Sequence, residues 1–278
     1  MKLAKVFKEN KQFTLFSILA LVVVGVAVFA PQIAPYDPLD AVMLESLQAP
    51  SSAHPFGTDK LGRDLLSRVI FGTRTSLIMT LCLVAVIFVI GTFLGVIAGY
   101  FGGIVDGVIM RIADMMISFP GLVLAIAIAG MLGPNLVNAV ISIAAVSWTK
   151  YARLARSMVL RVKKNLYIEA AVVNGTRTWK ILLVHVLPNM VTQMIVTAAA
   201  DIGTMMLELA SLSFLGFGAT APTPEWGLML NEGRTYMAKA PWLMIYPGIA
   251  IVICVVIFNM LGDSIRDVLD PRQERSEE

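Results

Sequence analysis

The sequence predicts an all-α polytopic membrane protein with six transmembrane helices. Three observations lead there. Several apolar runs continue for about 20 residues without a charge, enough for a helix to cross ~30 Å of hydrocarbon. The runs are continuous rather than alternating, which argues against a β-barrel. Charged residues make up 15% of the 278 and hydrophobic ones 57%, whereas a soluble domain carries about 25% charged residues.

The first span is placed at 13–30, closed by Pro31. A cleaved signal peptide competes for this run, since basic residues precede it and Val28-Phe29-Ala30 loosely fits a cleavage site. The length of the run and Pro31 favour an uncleaved span. A long loop, 31–74, follows, rich in Pro and Asp. It is either a solvated loop capped by Asp59 and Asp64 or one carrying a short interfacial helix from Asp64 to Arg74. The second span is expected at 76–99 and the third at 105–132, kinked at Pro120 and ended by Pro134. An Arg111–Asp114 ion pair is expected at i,i+3 on the third. The fourth, 136–148, runs on into a basic amphipathic extension. The fifth is 191–217 and the sixth 243–261.

Orientation follows from Lys and Arg. With the first 12 residues inside the cell, 16 of the 22 basic residues fall on the inside, so both termini are expected to be cytoplasmic. The chain then divides into a tail (1–12), the first span (13–30), an external loop (31–74), a five-helix core (75–262) containing a cytoplasmic loop (161–188), and a tail (263–278).

A net charge of +3 without a long basic tract implies no nucleic-acid partner. Cys82 and Cys254 lie inside apolar runs and read as small hydrophobes. No phosphate-binding Gly-x4-Gly-Lys-Ser/Thr loop is present, nor any catalytic constellation, so a membrane enzyme is disfavoured and no metal site is expected.

The loop 161–188 is the most informative segment. Tyr151, Leu154, Ala155, Met158 and Val159 alternate with Lys150, Arg153, Arg156 and Arg161 at helical spacing, which carries the fourth helix beyond the membrane with a basic face. A second helical stretch starts near Asn165. Its Ala170 and Ala171 would let another protein approach closely, and Gly175 permits a sharp turn. Helical pattern resumes from Thr176 to Val186, and Pro188 sits where a missing N–H costs little. Two short helices joined by a glycine elbow result.

Glu169-Ala170-Ala171, three residues, Gly175, then nine residues to His185 and on to Leu187-Pro188 resembles the EAA loop of ABC-importer permeases. That family usually has Ile where this chain has His185. The form His-Val-Leu-Pro-Asn resembles the family's dipeptide/oligopeptide/nickel branch. Gly57-Thr58-Asp59-Lys60-Leu61-Gly62-Arg63-Asp64 resembles the outside loop of the C-type subunits, and Ser118-Phe119-Pro120, the Ser213-to-Gly218 and Pro222-to-Gly227 segments and Gly262-Asp263-Ser264-Ile265-Arg266-Asp267 also match. The resemblance implies a type I ABC importer permease fold in a bacterial inner membrane. It implies docking of ATPase subunits on Glu169, Ala170, Ala171, Gly175, His185, Leu187 and Pro188. The implied partners are a second, homologous permease, two ATPase subunits and an extracytoplasmic substrate-binding protein. No cofactor is expected on this chain, with ATP and Mg in the ATPases.

Asp201 and Glu208 lie in the fifth span, seven apart and so on one helix face. Each would cost about 2.5–3.5 kcal/mol at mid-bilayer unless it faced a cavity or a partner. With Met205, and Met194, Thr197 and Thr204 nearby, they read either as a translocation path or as packing against neighbouring helices. Glu225 and Trp226 could meet the binding protein, plug the external mouth, or belong to simple loop structure. Asp201-Ile202-Gly203-Thr204-Met205-Met206-Leu207 resembles the nickel-type members, which slightly favours nickel or a metal chelate over di- or oligopeptides. A secondary carrier using Asp201 and Glu208 as ion sites is the other class.

Overall fold

The computed structural model describes residues 10–269. Lys2, Lys5, Lys8, Arg272 and Arg275, which enter the orientation argument, lie outside the described residues.

α1 (Lys11–Val28) is apolar on all sides and buries only Ala20, Val23 and Ala27, small residues that let it lie on α3 (Leu65–Phe101) and α11 (Trp242–Leu269). A turn at Phe29 leads into the short α2 (Ala30–Ile33), with Pro31 in its first turn. The segment 34–64 is folded rather than loose. It holds a 3-10 turn (Met43–Glu45), and its Leu47 and Thr58 amides donate to the Asp59 and Gln48 carbonyls.

Asp64 caps α3, accepting from the Ser67 amide and hydroxyl at 2.7 Å each. The separate interfacial helix expected from Asp64 to Arg74 does not exist. Neither Pro nor any cap interrupts the chain there, and these residues are the buried first turns of a 37-residue helix. Its later part packs along α6 (Leu136–Lys163) through Gly91, Gly95 and Gly99, spaced four apart. A Cβ at Gly91 would lie 2.5 Å from the Trp148 carbonyl oxygen, and one at Gly95 would strike the Ala152 carbonyl. Small residues at this spacing allow close approach of helix backbones.

The expected third span is two helices, α4 (Gly103–Ile117) and α5 (Gly121–Leu132), bent by 94°. Pro120 has no N–H and excludes Phe119 from helical geometry, so the chain breaks where only a kink was predicted. Asp114 pairs with Arg153 on α6 at 2.5 Å, replacing the expected Arg111–Asp114 pair.

α6 is one 28-residue helix, about 42 Å long. Four other described helical stretches are long and apolar enough to cross a membrane, and the bent pair together has the length and composition of one more span or of a re-entrant loop. α6 is more polar along its length, and its first half packs against α3, α5 and α9 with Val137 and Ile141 left exposed. α7 (Leu166–Val173), α8 (Thr178–Lys180) and a π-helical segment (Ile181–Val186) lead into α9 (Leu187–Phe214). The fifth span therefore starts earlier than 191. Pro188 cannot donate to the Val184 carbonyl, and the wider turn accommodates its ring.

α10 (Trp226–Gly233) and a 3-10 turn (Arg234–Tyr236) precede α11. Gly262 of α11 packs directly on the α9 backbone at Ala200. Cys254 is buried as expected, whereas Cys82 is exposed on α3.

Replacing Gly95 by Leu should force α3 off α6 and lower the thermal midpoint in detergent, with a loss of at least about 1–3 kcal/mol. Gly107→Ala, where nothing stands within 4 Å, should be neutral or mildly stabilising in the same assay.

Candidate functional site

α7 stands at one end of the bundle, directly after α6. Ile168 is buried and anchors it, while Glu169 and Ala170 are exposed and Ala171 is half-buried. Gly175 takes φ +72°, its amide donating to the Val172 carbonyl and that of Thr176 to Ala171. This pair of bonds closes a helix end through a left-handed residue, which glycine adopts without strain. His185 is half-buried, its ring 6.1 Å from that of Tyr167. Asn189 bonds both the His185 carbonyl, at 2.6 Å, and the Tyr167 hydroxyl, at 3.3 Å. Leu187 packs against the core, and Pro188 is exposed. Around Glu169 the surface is apolar, with Leu166 81% and Val173 85% exposed.

The same α6 that carries α7 is tied to its neighbours by charge. Arg156 forms two bonds of 2.5 Å to Asp106 on α4, and Arg153 bonds Asp114 about two turns further along α4. Lys150 bonds Asp201 on α9 at 2.6 Å, and the neighbouring Tyr151 hydroxyl bonds the other Asp201 oxygen at 2.9 Å. These pairings were missed in the sequence, where the cations read only as a basic face.

Asp201, Thr204, Met205 and Glu208 line a cavity of about 390 Å³. Met116, Ile117 and Phe119, from the break between α4 and α5, line its other side. A second cavity, of about 360 Å³, is lined by Gln193, Thr197, Asp263 and Arg266. Lys150 and Asp201 border both, so their ion pair stands between the two. Met194 lies in the core, away from both cavities. Glu208 is half-buried and has no hydrogen bond or ion pair among the described residues.

Glu225 and Trp226 are each 1% exposed, so they present no surface to an external protein. Glu225 caps α10, accepting from the Gly227 and Leu228 amides at 2.9 and 2.8 Å. The Trp226 indole donates to the Val69 carbonyl across Gly72. Together they fasten α10 to α3. A charge cluster adjoins them, in which Arg63 bonds Asp59 at 2.6 Å and reaches Glu232 at 3.4 Å. His54 sits between Asp64, at 2.9 Å, and Glu45, at 3.3 Å.

Residues 91–275 match the family of the binding-protein-dependent transport system inner membrane component. The chain belongs to this family of ABC-importer permeases. Residues 2–50 match the N-terminal transmembrane domain of oligopeptide transport permease C. The permease is 42% identical to the dipeptide transport system permease of Alkalihalophilus pseudofirmus, over 97% of this chain and 89% of that one. It is 44% identical to the glutathione transport system permease of Pectobacterium atrosepticum (91% and 84%). It is 41% identical to the probable D,D-dipeptide transport system permease of Escherichia coli K12 (98% and 91%). Its fold matches a chain of the MetNI methionine ABC transporter with TM-score 0.59 and 20% identity, over 74% of this chain and 98% of that one. The permease is a non-catalytic subunit of an importer whose partner ATPases hydrolyse ATP. Family membership displaces the secondary-carrier reading. The nickel subtype finds no support among these relatives.

Burial pushes the Glu225 carboxyl above its ordinary range, against the pull of its two amide donors. A raised carboxylate pKa adds stability that is complete below about 4.5 and is lost as pH rises through the folded-state value. The thermal midpoint of the wild type minus that of Glu225→Gln should therefore fall as pH rises above 4.5. A flat difference would show that burial does not control this group.

Proposed function

We propose that this permease imports short peptides, with α7 as the docking helix for an ATPase subunit. The observation that carries the coupling is the path along α6. One end of this helix leads into exposed Glu169 and Ala170, and its middle holds Lys150 on Asp201 between the two cavities. A shift of α7 moves a rigid 28-residue lever whose side chains grip α4 and α9. The dipeptide and glutathione names of the relatives support the peptide class.

In this reading both termini and α7 are cytoplasmic. A second, homologous permease completes the pore, and a binding protein delivers peptide from outside. Two ATPase subunits close on ATP and draw the docking helices together. Their contacts are Glu169, Ala170, Ala171 and Gly175, with His185, Leu187 and Pro188 supporting α7 from the start of α9. The ion pair Lys150–Asp201 parts as the pore opens, and substrate passes Glu208, Met205 and Asp201.

Gly175→Val places a β-branched residue at φ +72° and should abolish ATP-driven dipeptide uptake by the reconstituted complex. Ala170→Arg should do the same by blocking approach, with the ATPase no longer co-purifying. Retained ATPase binding in both would sink the docking assignment. Lys150→Met leaves Asp201 without its cation and should reduce uptake at least about tenfold while the complex still assembles. Unchanged uptake would remove the ion pair from the path.

A further inference from the structure

We propose that Glu208 makes the larger cavity a cation-selecting subsite that receives the ammonium group of a passing substrate. The inference rests on the peptide reading above. Three observations carry it. First, the cavity's charges do not cancel. Of its lining residues, Lys150, Asp201 and Glu208 are the ones that carry a charge, and Lys150 is already committed to Asp201 at 2.6 Å, with the Tyr151 hydroxyl on the same carboxylate. Second, Glu208 accepts no hydrogen bond and forms no ion pair among the described residues, while Asp201 has two partners. An unpaired carboxylate in a low-dielectric wall costs several kcal/mol unless something cationic or wet faces it, and here the cavity does. Third, the cavity is large enough for a dipeptide side chain and backbone, and its remaining walls mix apolar Met116, Phe119, Met205 and Val146 with the uncharged polar Ser147, Thr149, Tyr151 and Thr204, none of which brings a charge that would compete with Glu208.

The spacing suits a short zwitterion. Glu208 stands seven residues beyond Asp201 on α9, about 10 Å along the helix axis. An ammonium held at Glu208 leaves the far end of a dipeptide pointing at Lys150, the cation that borders both cavities. Coulomb attraction across this half-buried wall then favours substrates with extra positive charge over those with extra negative charge.

The test uses the complete transporter in proteoliposomes, with its second permease, ATPases and binding protein. Uptake of lysyl-alanine and of glutamyl-alanine is measured for each variant, and the ratio of the two is compared with wild type. The binding protein is the same throughout, so its own preference cancels. The ratio should fall about fivefold in Glu208→Gln and be retained in Glu208→Asp. Thr204→Lys puts a cation one turn from Glu208 at an exposed lining position, and it should lower the ratio further. Equal loss of both uptakes in Glu208→Gln, with the ratio unchanged, means Glu208 only supports packing and overturns the inference. An unchanged ratio in Thr204→Lys overturns it independently, even if Glu208→Gln fails to assemble. A wild-type transporter that takes up neither peptide defeats the peptide reading itself, and the subsite falls with it. That failure is seen without any variant.

Discussion

Lys150, Arg153 and Arg156 on α6 each reach a carboxylate on another helix, and the arrangement of the bundle depends on those contacts. Successive cations three residues apart turn along the helix, so that they reach two different neighbours. Arg153 and Arg156 take α4, and Lys150 takes α9. The contacts are not equal. Arg153 and Asp114 are about half exposed and contribute little in water. Lys150 ends on an Asp201 that is nearly sealed and also bonded by Tyr151, so that contact is the one whose loss strands a charge.

The glycine seam between α3 and α6 makes those contacts possible. Backbone approach at Gly91, Gly95 and Gly99 seats the stretch of α6 from Trp148 to Val159 against α3, so that Tyr151, Ala152, Ala155 and Val159 are fully buried between its cations. A helix with this many cations can then occupy the centre of a membrane bundle. The other end of the molecule uses a different device. There a buried network of Asp59, Arg63, Asp64, Arg68 and Glu232 ties the segment 34–64 to α10 and α3. Arg68 also donates to the Pro38 and Pro222 carbonyls.

Much of the membrane plan was legible in the sequence, since long uncharged apolar runs have few physical solutions. α1 and α9 lie within a few residues of the expected spans, while α3 starts about three turns earlier and α11 ends about two turns later. The glycine elbow at Gly175 was legible because a left-handed residue after a short helix is a local property. The merging of 64–74 into α3 was not, since burial of Leu65, Arg68 and Val69 depends on α10, 150 residues away. The surface role considered for Glu225 and Trp226 failed for the same reason. A carboxylate and an indole in a loop read as exposed until another helix is laid over them.

The sequence by itself determined that the chain crosses a membrane repeatedly, roughly where most of its apolar helices lie, and that a basic helix is followed by a Glu169-Ala170-Ala171 segment closed by a glycine turn. Composition and local periodicity suffice for these, because hydrophobic length and helix caps act within a few turns. Only the tertiary structure decided that the α4–α5 span breaks by 94°, that Asp201 is neutralised while Glu208 is not, and that Lys150 stands between two cavities. Those depend on which helix faces overlap. That choice is made by backbone contacts at Gly91, Gly95, Gly99 and Gly262 between residues far apart in the chain.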